Sequence, residues 1–178
     1  MKDERSKTLF ILHPASFILL AQVALLGVLP LLNVGCHHRE VAALRVGNGA
    51  EPQDLDPHVV TGIPEHRIIS TLFEGLVDCD PGDLHVIPAV AESWSVSEDG
   101  RQYVFHLRGD AAWSNGDPVT ADDFVYGWRR ILTPALGAQY AQMLYCLKNA
   151  RPYHEGKLKD FGEVGARALD ARTLEVTL

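Results

Sequence analysis

A mixed α/β domain, carried outside the cytoplasm, is what this sequence predicts, and three observations predict it. Apolar and polar residues alternate around Asp99-Gly100 and again over 174–178, the period of half-buried strands. Between those segments, residues 121–132 repeat apolar side chains at helical spacing behind a helix-start signal. And the chain opens on a short charged stretch followed by a long apolar run.

The front end reads as an address. "MKDERSKT" (1–8) is charged and slightly basic, and "LFILHPASFILLAQVALLGVLPLLNVGC" (9–36) is apolar except for His13, Ser16, Gln22 and Asn33. A basic start, an apolar middle and a small residue before a boundary make an export signal. The run is long enough to span a bilayer, so an uncleaved anchor is the alternative, weakened by Pro14 and Pro30 inside it. "NVGC" (33–36) resembles a bacterial lipobox, in which a small residue precedes a cysteine that is lipidated after cleavage. Val34, Gly35 and Cys36 fit, while Asn33 stands where leucine is usual and Leu32 lies one place early. Cys36 is the expected lipidation site, and either reading puts the body outside the cytoplasm. His37 and His38 are read as solvated tether residues rather than metal ligands.

The chain has 178 residues, enough for one domain with a real core or two small ones. Hydrophobic residues at 47% and charged residues at 22% exclude a disordered chain. Without residues 1–36, which hold Lys2, Arg5 and Lys7 against Asp3 and Glu4, the remainder has 13 basic and 21 acidic residues, a net charge of −8. A body that acidic, with no basic run, is not built for nucleic acid or an anionic membrane surface. Cys36, Cys79 and Cys146 form no CxxC, and no Cys/His set has zinc spacing, so neither a metal site nor a cofactor is expected. Cys79 and Cys146 could pair in an oxidising compartment. The plainer expectation is two separate, small, buried residues.

In the body, "ALRVGNG" (43–49) alternates into a glycine turn and predicts a short strand. "EPQDLDPHVVTGIPEH" (51–66), with three prolines, predicts an extended loop with fixed bends. "EHRIISTLFEGLVD" (65–78) places Ile68, Ile69, Leu72, Phe73 and Leu76 at helical spacing, which predicts a helix with that face packed inward. Pro64 suits its start and Gly75 the neighbourhood of its end. "SWSVS" (93–97) and "YVFHLR" (103–108) flank "EDGRQ", whose Asp-Gly signals a hairpin. Tyr103, Phe105 and Leu107 then share one face, which leaves His106 a half-exposed strand residue rather than a base. A second hairpin turns at 170–173, and Leu174, Val176 and Leu178 alternate behind it.

"WSNGDPVTADDF" (113–124) carries adjacent carboxylates, Asp122 and Asp123. "SNGDP" reads as a turn, with Asn-Gly tolerating positive φ and Pro118 fixing the exit. Thr120 stands where a helix must begin, and Asp123, three residues on, completes a capping box. Ala121, Phe124, Val125, Trp128, Ile131 and Leu132 follow as one apolar stripe. A glycosidase-type pair needs carboxyls at least about 5 Å apart across a cleft, whereas neighbours on one helical turn diverge. Both acids are therefore expected to be architecture, and the chain is not expected to be an enzyme.

"GLVDCDPGDLHVIPAVAESWSVSEDGRQYVFHLRGDAAWSNGDPVTADDFVYGWRRIL", with "LDPHVVTGIPE" and "LFEGL" upstream and "ALDARTLEVTL" downstream, resembles the bacterial extracytoplasmic solute-binding proteins of family 5. These are the oligopeptide- and dipeptide-binding components of ABC transporters. The resemblance runs from about residue 43 to the end and is nearest to the oligopeptide-binding branch. It implies a two-lobed, periplasmic-binding-protein-like α/β fold (type II) that closes on ligand like a hinged clamp, with an extra domain beside the lobes and no catalytic centre. The chain then divides into a lipoprotein signal peptide (1–36), a first segment of lobe one (37–73) and an extra α/β domain (74–178), incomplete at its C-terminal end. The second lobe and hinge crossovers are expected to lie beyond this chain. On the same resemblance, Ile63 contacts the peptide backbone, Tyr140 reaches the peptide from the extra domain, and Thr61 stands where some members place an acid in the cleft.

The function so implied is a periplasmic or cell-envelope lipoprotein that captures oligopeptides and delivers them to ABC permease subunits. Two other classes remain open. One is a tethered extracytoplasmic hydrolase using Asp122 and Asp123 or a histidine; the other is a non-transporting remnant or interaction domain.

Overall fold

In the computed structural model, which describes residues 43–178, the period-two segments pair as antiparallel strands and the stripe at 121–132 is a helix. The elements run α1 (Ile63–Leu72), β1 (Val77–Cys79), β2 (Val86–Pro88), β3 (Ala91–Val96), β4 (Gln102–Leu107), α2 (Ala121–Leu132), α3 (Ala150–His154), β5 (Ala166–Asp170) and β6 (Thr173–Thr177). Short 3-10 turns fill Pro134–Leu136, Ala141–Cys146 and Phe161–Glu163. The export signal, the lipobox and Cys36 lie outside the described residues. No helix among the described residues is long and apolar enough to cross a membrane.

Strands β3 to β6 make one antiparallel sheet in the order β3-β4-β6-β5, and β1 pairs with β2 as a separate small hairpin. Residues opposite each other in an antiparallel ladder share a face. The register therefore lines Trp94, Phe105, Leu174 and Ala168 in one row across the sheet, with Tyr103 and Val176 in the next. That face is the core: Leu107, Leu174 and Val176 are buried, and Phe105, Tyr103 and Ala168 pack beside them. On the other face His106 is exposed, as the alternation predicts, and Arg167 pairs with Glu175 at 2.9 Å.

Helix α2 closes the core from above β5 and β6. Its stripe faces the sheet, with Ala121 and Leu132 fully buried and Phe124, Val125, Trp128 and Ile131 packed around them. The Ala121 amide donates to the carbonyl of Ala171 in the β5–β6 turn at 3.0 Å, which fixes the helix start to the sheet. The predicted hairpins are both present. Between β3 and β4, Gly100 takes the left-handed conformation (φ +69°) that Asp-Gly signalled, in a four-residue loop closed by the Ser97 amide on the Gln102 carbonyl.

Four expectations need correction. Residues 43–48 form no strand, and no ladder partner faces them among the described residues. The helix expected to start at Pro64 and end near Gly75 does start there, at Ile63 with Pro64 in its first turn, but stops early, at Leu72. Tertiary bonds override its periodicity: Arg108 grips Glu74 with both terminal nitrogens at 2.9 Å, and the Gly75 and Leu76 carbonyls accept the Val90 and Ala91 amides. That path is extended, so the helix cannot continue. The predicted inward face packs only in part: Ile68 and Ile69 are half-buried, Leu72 and Phe73 are 63% and 48% exposed, and only Leu76 joins the core. Finally, Cys79 and Cys146 are free thiols but exposed rather than buried.

Candidate functional site

The stretch 113–124 is a joint. The Trp113 amide donates to the Asp117 carbonyl and Gly116 turns back at φ +93°, so "SNGD" is a closed turn, and Ala112 bridges Pro118. The reciprocal box at the α2 start is in place. Its well-formed half is Asp123, whose Oδ2 accepts the Thr120 amide at 2.7 Å and the Thr120 hydroxyl at 2.9 Å. Asp122, one residue earlier, is exposed. Asp123 borders an open cavity of about 270 Å³ with Phe73, Trp113 and Phe124, but Asp122 does not. The two carboxylates do not face each other across that cavity.

The expected ligand residues come together elsewhere. Thr61, Ile63 and Tyr140 line one open cavity of about 340 Å³ with Val60, His66 and Ile69. Thr61 and Ile63 sit where the loop passes into α1. The turn there is tight because the Glu65 carboxylate folds back over Gly62, occupying the space a side chain at 62 would need. Glu65 is 6% exposed and accepts the Gln53 amide at 2.9 Å, which ties the two ends of the loop. Tyr140 enters from the opposite side of the sequence, just before the 3-10 turn at Ala141–Cys146. Ile63 and Tyr140 are 68% and 46% exposed, so neither is spent on the core. The arrangement is a concave wall with an aromatic ring, an aliphatic side chain and a hydroxyl, suited to holding a ligand, and among the described residues no hydrogen bond joins Thr61 or Tyr140 to His66.

The loop carries a cluster that the sequence reading passed over. Arg130 on α2 donates to both carboxylate oxygens of Asp56, with one contact at 2.7 Å, and its Nη1 also meets His58 Nδ1. Asp56 in turn accepts the His58 amide at 3.0 Å, and its carbonyl accepts the Val59 and Val60 amides. Hydrogen bonding from Arg130 holds the Asp56 carboxyl at about 2, well below its ordinary value, against a smaller opposing effect of burial. Burial first, and then the Arg130 charge, lowers His58 below the usual histidine range. No one-dimensional pattern pairs positions 74 residues apart. The available signal was an arginine at the edge of an apolar stripe and an acid in a proline-bracketed loop.

One further group brings possible metal-ligand atoms together among the described residues: Asp80, Asp83 and His85 lie within 4.8 Å of one another. They belong to the turn between β1 and β2. Asp83 and His85 are exposed, and His85 Nδ1 is already bonded to Asp83. The turn accounts for the group without an ion.

With the fold and this wall described, the chain can be placed. The sequence profile of "Bacterial extracellular solute-binding proteins, family 5 Middle" matches residues 85–178. The chain belongs to family 5 of the bacterial extracellular solute-binding proteins. It is similar to the periplasmic oligopeptide-binding protein OppA of Haemophilus influenzae, at 48% identity over 134 residues, covering 74% of this chain and 24% of that protein. It is 42% identical over 135 residues to the dipeptide-binding protein DppE of Bacillus subtilis. Among solved structures, Haemophilus influenzae OppA in complex with RPPGFSPFR matches with a TM-score of 0.68 at 47% identity, over 73% of this chain and 25% of that one. The Escherichia coli murein tripeptide binding protein MppA matches with a TM-score of 0.67 at 39% identity. The chain thus has the α/β fold of periplasmic peptide-binding proteins over part of that fold, and spans about a quarter of the length of the curated relatives it matches.

Proposed function

We propose that this chain is part of an extracytoplasmic binding protein of a peptide ABC transporter, supplying one wall of an oligopeptide site. The observation that carries the reading is the cavity in which Thr61, Ile63 and Tyr140 meet. Its open, mostly uncharged wall suits a peptide held through its backbone, with side chains tolerated in a wet cleft. The relatives named for oligopeptide, dipeptide and murein peptide binding support the same ligand class. In this reading residues 37–73 belong to lobe one and 74–178 to the extra domain. Lipidation at Cys36 tethers the protein at the cell envelope, from which it delivers peptide to permease subunits.

Peptide binding by the longest product of the gene, and by the 178-residue chain in parallel, tests this. Mixed di- to pentapeptides should raise the melting temperature of the longer product. Enclosure between two lobes carries most of the affinity, so the 178-residue chain should bind on the order of 100-fold more weakly. One relative is the probable deoxycholate-binding periplasmic protein YgiS of Escherichia coli, at 43% identity. A shift with deoxycholate, nickel, haem or a sugar, and none with any peptide, would overturn the peptide assignment. Radiolabelled palmitate incorporation that is lost in Cys36→Ala is the expected sign of the tether, and incorporation unchanged in that variant refutes it.

A further inference from the structure

We propose that Arg130 is a positioning residue for the ligand-side strip. By gripping Asp56 and His58 from α2, it sets where Thr61 and Ile63 stand relative to Tyr140, on the reading that this strip contacts ligand.

Residues 51–62 contain no helix or strand, and the backbone hydrogen bonds over 56–60 are local, from Val59 and Val60 to Asp56. A segment without a ladder holds its shape through side-chain ties. The Gln53–Glu65 bond ties the loop to its own helix, α1. Arg130 makes the side-chain bonds that connect the loop to the part of the molecule that bears the sheet. A guanidinium fork on a carboxylate fixes orientation as well as distance, which a single point charge does not. Helix α2, from which the fork projects, is itself seated on β5 and β6, and its C-terminal end leads through Pro134–Leu136 and Gly137 to Tyr140. Both walls of the cavity are therefore referenced to one rigid element.

The third contact adds a condition. A guanidinium only donates, so His58 Nδ1 must accept, which requires the neutral ring with its proton on Nε2. The ring lies beside Gly127 on α2, where a side-chain carbon would make an ordinary contact 3.6 Å from Nε2. The charged groups facing the ring are Arg130 from α2 and Asp56 from the loop, 3.7 Å from Nδ1, with Tyr126 and Asp54 acting on Arg130 beyond them. Protonating His58 places an N–H against the guanidinium and removes the acceptor. The grip should then hold at neutral pH and loosen in acid.

Amide hydrogen exchange on the full chain in detergent micelles, followed by NMR and corrected for intrinsic rates, decides the matter. At pH 7, Arg130→Gln should speed exchange at His58, Val59 and Val60 by about 10-fold or more. Leu107 and Thr177, bonded within the sheet to the carbonyls of Arg172 and Gly165, should keep wild-type rates. In the wild type the same three loop amides should lose protection as pH falls below the ordinary histidine range, and His58→Asn should flatten that dependence. The proposal is overturned if Arg130→Gln leaves the loop amides unchanged, or accelerates them and the sheet amides by one factor. Should Arg130→Gln fail to fold, the wild-type pH series decides: flat loop protection across the titration refutes the grip. If the longer product binds peptide, Arg130→Gln should weaken that binding by about 10-fold. If the wild type binds no peptide, the functional assignment falls while the exchange rates still judge Arg130.

Discussion

Replacing Asp122 and Asp123 by alanine, one at a time, separates a helix cap from an acid pair. Asp123 accepts two hydrogen bonds from Thr120, at 2.7 and 2.9 Å, at the partly buried start of α2. Removing it frees the Thr120 amide and a favourable charge at the helix N-terminus, a loss of about 1–2 kcal/mol. Asp122 offers only the charge, worth about 0.3–1 kcal/mol when exposed, and alanine recovers a few tenths through its helix propensity. For a domain of this size 1 kcal/mol moves the melting temperature by about 3–5 °C. Asp123→Ala should therefore melt several degrees lower, and Asp122→Ala within about 2 °C of wild type. Thermal unfolding followed by far-UV circular dichroism reads both. A matched pair of acids predicts the opposite: near-equal effects on activity, and stability that rises when a repelling charge is removed. Equal destabilisation by the two variants, or none by Asp123→Ala, refutes the cap.

Other substitutions test the core and the loop. Leu174 is fully buried at the centre of the sheet, so Leu174→Ala should cost about 2–5 kcal/mol in urea unfolding, and a cost under 1 kcal/mol would mean that the described register is wrong. A methyl at Gly165 would overlap the Thr177 carbonyl and press the Lys148 side chain at 3.0 Å, so Gly165→Ala should cost about 1–3 kcal/mol. Gly47→Ala, with nothing within 4 Å, serves as its control and should cost less than about 0.5 kcal/mol. Asp56 is held at about 2, so its contribution is complete above the ordinary aspartate range and disappears as pH falls from about 4 to 2. With its side chain a quarter exposed, screening reduces that contribution to about 1 kcal/mol, readable as an acid-limb slope that Asp56→Asn abolishes. His58 is lowered too, so the unfolded chain takes up its proton first and stability also declines as pH drops below about 6.5.

What the sequence shows of the fold is what short-range chemistry decides. The β3–β4 and β5–β6 hairpins and the α2 stripe were legible because alternation, Asp-Gly and a Thr-Ala-Asp-Asp start act over a few residues. Helix α1 shows the limit. Its apolar spacing continues to Leu76, but the Arg108 fork on Glu74 and the amides of Val90 and Ala91 draw 74–76 into an extended path. Those partners lie up to 34 residues away, beyond the reach of periodicity. The thiols fail for a related reason: frequency places cysteines inside, whereas position on a two-residue-period hairpin and on a 3-10 turn leaves Cys79 and Cys146 outside.

The candidate site divides along the same line. Thr61, Ile63 and Tyr140 were named through resemblance, not through any physical pattern in the chain, and the Arg130 contact proposed to position them is one the resemblance did not supply. Periodicity can say that one face of α1 is apolar, but it cannot say what covers that face. Leu72 and Phe73, on that face, remain substantially exposed among the described residues. An apolar helix face left open beside a pinned loop does little for the stability of this chain by itself. It has value if something packs there, whereas Ile63, about two and a half turns before Leu72 and so on the other side of α1, stands on the cavity wall where the proposed ligand contact falls. Ile63→Ser should therefore leave the melting temperature within about 1–2 °C of wild type, since a residue this exposed contributes little to the core. In the longer product it should weaken peptide binding. A large loss of stability in the 178-residue chain would instead make Ile63 a core residue and remove it from the ligand wall.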